Sequence, residues 1–123
     1  MTIQALLAAI NADPELQRRG RHYTCQIKLE IGEQSLLFSV RDGQLERIEE
    51  GVDAARDSIT LTANADAWRA FRGAHPPPGY HDLAAMQDQG HLKISGDVLR
   101  WISNMGYVRG LVKHWSQANV CSP

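Results

Sequence analysis

From Tyr23 to Ile31 the chain alternates with a period of two. Tyr23, Cys25, Ile27, Leu29 and Ile31 share one face, and His22, Thr24, Gln26, Lys28 and Glu30 share the other. This pattern predicts a strand buried on one side and wet on the other. After a tight connection at Gly32-Glu33, Leu36, Phe38 and Val40 repeat it. Asp42-Gly43 is a strong hairpin signal. The charged "QLERIEEG" that follows reads as an edge strand, closing an antiparallel meander of three. A loop over 51–56 leads to "DSITLTA", a fourth strand with Ile59, Leu61 and Ala63 inward and Thr60 and Thr62 outward.

The rest follows a helical period. Ahead of the strands, Thr2 caps a helix bearing Leu6, Leu7 and Ile10, and Asp13-Pro14 restarts a short turn anchored by Leu16 and stopped at Gly20. After the fourth strand, Asn64 caps "ADAWRAFR", with Trp68 and Phe71 on one face and Gly73 as the stop. "HPPPGYHDLAAM" (75–86) is a rigid proline loop, with Asp82 as the cap of a short helix carrying Leu83 and Met86 and ending at Gly90. "HLKISG" is a fifth strand with Leu92 and Ile94 inward. Asp97 caps a last helix predicted to run to about Gln117, with Leu99, Ile102, Met105, Val108, Leu111, Val112 and Trp115 on one broad apolar stripe. Gly106 and Gly110 inside it permit a kink or close packing. The order is α, four β, two α, β, α. The helical segment between the fourth and fifth strands predicts a parallel crossover there, and helices are expected to cover one sheet face and leave the other to water.

Length and composition fit this picture. The 123 residues suit one domain (1–123) of α+β class, 43% hydrophobic and 22% charged, with net charge −1. No basic patch for a nucleic acid appears, since Arg18-Arg19-Gly20-Arg21 reads as a solvated helix end. No basic region precedes the first apolar stretch, and nothing approaches the roughly 20 apolar residues of a membrane span, so a soluble, cytoplasmic protein is expected. Cys25 reads as a small buried hydrophobe and Cys121 as exposed and free, with neither a disulfide nor a metal implied.

Met86, Met105, Trp68, Phe71, Trp101 and Trp115 on the helices face Phe38, Val40, Ile27 and Leu29 on the strands. Such stripes make either a plain core or a cavity. The plain core is the commoner outcome, and the glycines of the last helix, the flexible methionines and the rigid proline loop raise the cavity as the alternative. "FSVRDGQLERIEEG", "DSITLTANADAWRAF", "PPPGYHDLAAM" and "GHLKISGD", in that order across about Gln34 to Leu111, resemble the sterol-binding domain family of sterol carrier protein type 2 (SCP2), in its bacterial single-domain form. The resemblance implies a five-stranded sheet with helices on one face. It also implies a tunnel between the two layers for fatty acids, fatty acyl-CoA, sterols or similar molecules.

Two departures shape that expectation. The chain ends "VCSP", without a peroxisomal tail, and its lysines are only Lys28, Lys93 and Lys113. Arg69, Arg72 and Arg100 give an acyl-CoA head group a thin basic mouth, so a neutral or weakly acidic ligand such as a steroid, terpenoid or fatty acid is favoured. The expected lining is Trp68, Phe71, Tyr80, Met86, Leu99, Ile102 and Met105 over a floor of Phe38 and Val40. No cofactor is implied.

The enzymatic alternative, an enzyme or accessory subunit acting on a steroid- or terpenoid-like substrate, would draw on His81, Asp82 and Tyr80, with His75, Asp66, His91 and His114 as further candidates. No nucleophile elbow, Cys-His signature or HExxH spacing supports it, and no third metal ligand is evident on the loop. Trp101 and Trp115 fall on different faces of the last helix, which predicts an apolar surface for a homodimer or a partner enzyme.

Overall fold

The alternating run becomes the middle strand of the sheet. The computed structural model describes residues 2–55 and 57–118, and Cys121 lies outside them. In chain order the elements are α1 (Ile3–Ala12), α2 (Pro14–Arg19), β1 (Cys25–Ile31), β2 (Gln34–Arg41), β3 (Gln44–Glu50), β4 (Ile59–Ala63), α3 (Ala65–Arg72), α4 (Leu83–Asp88), β5 (Lys93–Gly96), α5 (Val98–Ser103) and α6 (Met105–Ser116). The strands form one mixed sheet in the order β3-β2-β1-β4-β5. At the β2–β3 hairpin Asp42 and Gly43 have φ of 49° and 80°, the pair of positive angles that a type I′ turn needs.

The parallel pair is β1–β4, in register from Ile27↔Ile59 to Ile31↔Ala63, while β4 and β5 are antiparallel. The predicted parallel crossover between β4 and β5 is therefore wrong. Thr62 pairs with Lys93, so the excursion through α3 and α4 leaves and rejoins the sheet at the same end. The long crossing is made by the strap between Glu50 and Ile59, which passes over β2 and β1. It lies on the face away from the helices. There Ala55 N–H donates to Gln26 Oε1 at 2.7 Å, and Asp53 lies 3.8 Å from Lys28 Nζ. On this face Leu37 and Ser39 are buried, so it is not the uniformly wet surface that the alternation suggested.

The other face carries the core. Leu6 and Ile10 of α1, Leu16 of α2 and Val108, Leu111, Val112 and Trp115 of α6 pack on Ile27, Leu29, Phe38, Ile59 and Leu61. Each such side chain contributes roughly 1.5–3 kcal/mol on burial. Asn11 ties α1 to the edge strand: its Nδ2 donates to Leu45 O and its Oδ1 accepts from Leu45 N–H, both at 2.9 Å. This occupies backbone groups of β3 that would otherwise lie open at an edge.

The expected single last helix is two. Asn104 leaves the helical region at φ −131°, ψ 28°. Its side-chain Nδ2 donates to Arg100 O, the carbonyl that the Asn104 N–H would take in a continuous helix, while that N–H turns to Trp101 O. The break changes the phase of the stripe. α5 buries Trp101 and turns Leu99 and Ile102 outward, 72% and 59% exposed, against the expectation that they face inward with Met105. Trp115 is buried as well, so the exposed tryptophan surface on which the dimer expectation rested is absent.

Gly106 and Gly110 do not kink α6. They let α2 approach it: a Cβ at Gly106 would overlap the Arg19 guanidinium, and one at Gly110 would overlap the Leu16 side chain. The gaps expected at these glycines are filled by the neighbouring helix.

Candidate functional site

Two regions compete for the site. The first is the layer between sheet and helices, where the sequence placed it. Phe38 and Val40 of β2, Trp68 of α3 and Met86 of α4 are buried there, and Phe71, Tyr80 and Met105 are partly buried against the same cluster. Leu99 and Ile102 stand outside it. Trp68 is held on both sides, with its ring edge-on to Trp115 at 5.3 Å and to Phe71 at 5.7 Å, and its Nε1 donates to Glu30 O at 2.8 Å. Arg72 lies over the Trp115 ring, 4.5 Å from its centre. These side chains stand where the family resemblance implies a cavity.

Three polar atoms interrupt this apolar layer. The hydroxyl of Tyr107 and the indole nitrogen of Trp115 are buried without a hydrogen-bond partner among the described residues, and the Tyr23 hydroxyl has only the Cys25 thiol beside it. Burial pushes both phenols up, Tyr107 to about 12, and raises the Cys25 thiol as well. Sequence reasoning counted Tyr23 and Trp115 as apolar positions and did not single out Tyr107. The available signal was two phenols at inward positions with no polar neighbour on the facing element.

The second region is an open groove of about 1270 Å³, walled by α2, the end of α3, the proline loop and α6, with Gly106 and Gly110 in its floor. It is polar. Among the residues that line it, Arg109 makes a two-pronged pair with Asp82 (Nε–Oδ1 and Nη2–Oδ2, 2.9 Å each), and Arg19 pairs with Glu15 at 2.8 Å. Asp82 thus stands at the N-cap of α4, as expected, but its carboxylate serves Arg109 and makes no cap bond.

Of the candidate catalytic groups, His81, Asp82 and His114 line this groove, but Asp82 is engaged by Arg109 and His114 by Asp13. Tyr80 stacks on His91 with ring centres 4.3 Å apart, and its hydroxyl is 3.4 Å from His91 Nδ1. Asp66 pairs with Arg69, while His75 and His81 are exposed. The His–Asp pair that does form is His114–Asp13, with Nε2 2.8 Å from Oδ2, joining α6 to the cap of α2. Among the described residues no three His, Cys, Asp or Glu side chains gather as a metal cluster would, and no helix is long and apolar enough to cross a membrane.

Asp13 is held below its ordinary value of 3.8, chiefly by the His114 hydrogen bond. Desolvation opposes this, and the N–H groups of Glu15 and Leu16 and the His114 charge reinforce it. Because the folded value is the lower one, the unfolded chain binds more protons. The stabilisation is therefore full above 3.8 and is lost as pH falls through the folded value. Asp13→Asn is expected to flatten the loss of stability below about pH 4. Urea midpoints measured across that range check this, and parallel acid limbs for wild type and variant would count against it.

The element order and the helix-covered mixed sheet can be set beside solved structures. One described as sterol carrier protein 2 superposes at a TM-score of 0.74, with 13% identity over 94% of this chain and 93% of that one. The chain has the sterol carrier protein 2 fold. A Thermus thermophilus protein described as possibly a sterol carrier protein matches at 0.67, with 12% identity over 94% of this chain and 84% of its own. A structure described as "UbiJ-SCP2 Ubiquinone synthesis protein" matches at 0.57, with 18% identity over 94% and 90%. At these identities the likeness concerns the fold. No protein-family model matches the sequence. No curated protein matches it either. Within the sterol carrier protein 2 fold, this chain has two phenols buried between sheet and helices, and an α5 whose Leu99 and Ile102 face outward.

Proposed function

We propose that this single domain binds an apolar small molecule between sheet and helices, a sterol or steroid, a fatty acid or a terpenoid-like lipid, and carries it through the cytoplasm or presents it to an enzyme. The observation that carries the reading is the outward face of α5. Val98, Leu99 and Ile102 are exposed, and the chain then turns at Asn104 into Met105, which packs against the core. Exposed and buried apolar side chains thus adjoin across one helix break, where a ligand could pass from the surface inward. The fold shared with a sterol carrier supports the same reading.

Phe38, Val40, Trp68, Phe71, Tyr80, Met86 and Met105 would line the bound molecule, and Leu99 and Ile102 would stand at its mouth. Phe38, Trp68 and Met86 are buried against their neighbours, so the ligand would have to part side chains to reach them. Burial of its apolar surface at about 25 cal/mol per Å² is the driving term. The α5 face is also where a partner enzyme or a second copy would meet the protein. The enzymatic alternative gains no support here, because Asp82 and Tyr80 are engaged by Arg109 and His91.

Native mass spectrometry of the purified protein is expected to show a co-purified lipid. After delipidation, a fatty-acid or steroid probe should change the tryptophan fluorescence. A protein that purifies empty and answers to neither probe would sink the proposal.

A further inference from the structure

The two phenols occupy one corner of the sheet–helix layer. Tyr23 stands just ahead of β1, and Tyr107 is in the first turn of α6. Their rings meet edge to face, 5.4 Å apart at 68°. Tyr107 is 1% exposed and Tyr23 6%. The Tyr107 ring lies so close to Gly20 that any side chain there would overlap it. The Cys25 thiol beside Tyr23 is turned to backbone oxygens, Gln26 O at 3.3 Å and Asp57 O at 3.8 Å. Arg100 is the positive charge acting on this corner, and it is engaged by Asp97 Oδ2 at 3.0 Å and by Thr24 O. Buried hydroxyls are nearly always paired, so Tyr107, which has no partner among the described residues, and Tyr23, which has only the weakly accepting Cys25 thiol, call for a better acceptor.

We propose that the layer between the sheet and α6 takes an apolar ligand bearing one neutral oxygen, an alcohol or a carbonyl, seated on the hydroxyls of Tyr23 and Tyr107. This rests on the lipid-binding reading above and narrows it. Both phenols stay protonated at neutral pH, so each has an O–H to donate. A carboxylate would be stripped of water in a corner whose cation already has partners. The apolar body would lie along the inner face of α6 by parting the side chains packed there, where Leu111 separates Tyr107 from Trp115, about 12 Å further along the axis.

The test is a tryptophan-fluorescence titration of the whole protein with 1-dodecanol, dodecane and dodecanoate, each delivered from cyclodextrin. Wild type is compared with a variant carrying both Tyr23→Phe and Tyr107→Phe. The dodecanol-to-dodecane affinity ratio is expected to fall about tenfold in the variant while dodecane binding holds. An unchanged ratio overturns the proposal and leaves lipid binding standing. Dodecanoate bound more tightly than dodecanol by wild type does the same. If wild type binds none of the three, the lipid-binding reading falls and the proposal with it. The ligand-free variant separately reports on structure. Its melting temperature is expected at or above that of wild type, because the hydroxyls removed had no partner stronger than the Cys25 thiol. A clear fall would show that they hold the fold, and would overturn the proposal.

Discussion

Gly96→Ala is expected to lower the free energy of unfolding by about 3 kcal/mol or more, from a strained backbone angle and a steric clash together. Gly96 closes β5 at φ +89° and is paired across the sheet with Ile59. A Cβ there would overlap the Ser58 carbonyl oxygen and sit 3.1 Å from its carbon. Neither atom can move freely, because Ser58 O accepts the Asp97 N–H at 2.9 Å. Asp97 in turn caps α5, taking the Arg100 N–H on its carboxylate at 3.2 Å. The damage should therefore spread from the sheet into α5. Gly90→Ala is the control. Its φ of +79° is also positive, but nothing lies within 4 Å of the added atom. It should lose only the strain, about 1–2 kcal/mol. Urea denaturation of the two variants checks the difference, and equal losses would remove the steric account.

Trp68→Ala is expected to cost about 4 kcal/mol, within the usual range for deleting a buried tryptophan. The ring is fully buried, meets two other aromatic rings edge-on and bonds a strand carbonyl. Trp68→Phe keeps most of the apolar volume and loses the bond to Glu30 O, so it should lose only about 1–2 kcal/mol. The alanine variant leaves a dry hole shaped for an indole. Added indole should therefore raise its melting temperature and leave that of wild type unchanged. No stabilisation by indole would mean that the layer collapses around the missing ring.

Local chemistry was legible in the sequence wherever one residue decides a conformation. Asn64 and Asp97 cap their helices as expected, Pro14 opens α2 behind Asp13, and Asp42-Gly43 makes its hairpin. Strand faces were legible because each of β1 and β4 alternates cleanly. What failed depends on distant partners. Nothing between residues 64 and 92 says that the chain returns to the end of the sheet it left, so the pairing of β4 with β5 was misjudged. The stripe from Leu99 to Trp115 reads as one helix because hydropathy does not register Asn104, whose amide takes over a backbone bond. The site suffered the same way. An inward apolar position looks alike whether a side chain or a ligand fills the space beside it. A tyrosine counted as apolar conceals its hydroxyl.

The strap between Glu50 and Ile59 has a consequence for the order of assembly. β1, β2 and β3 can pair as soon as residue 50 has been made, but β1 then has one bare side until β4 arrives. During synthesis that side is an open edge of a hydrophobic sheet, a template for pairing with another chain. The sheet is completed from its β3 edge across to β5, and β4 shields β1 before β5 is added at the far edge. A ribosome-bound chain that has not yet reached Ala63 is thus the form of this protein most exposed to misassembly.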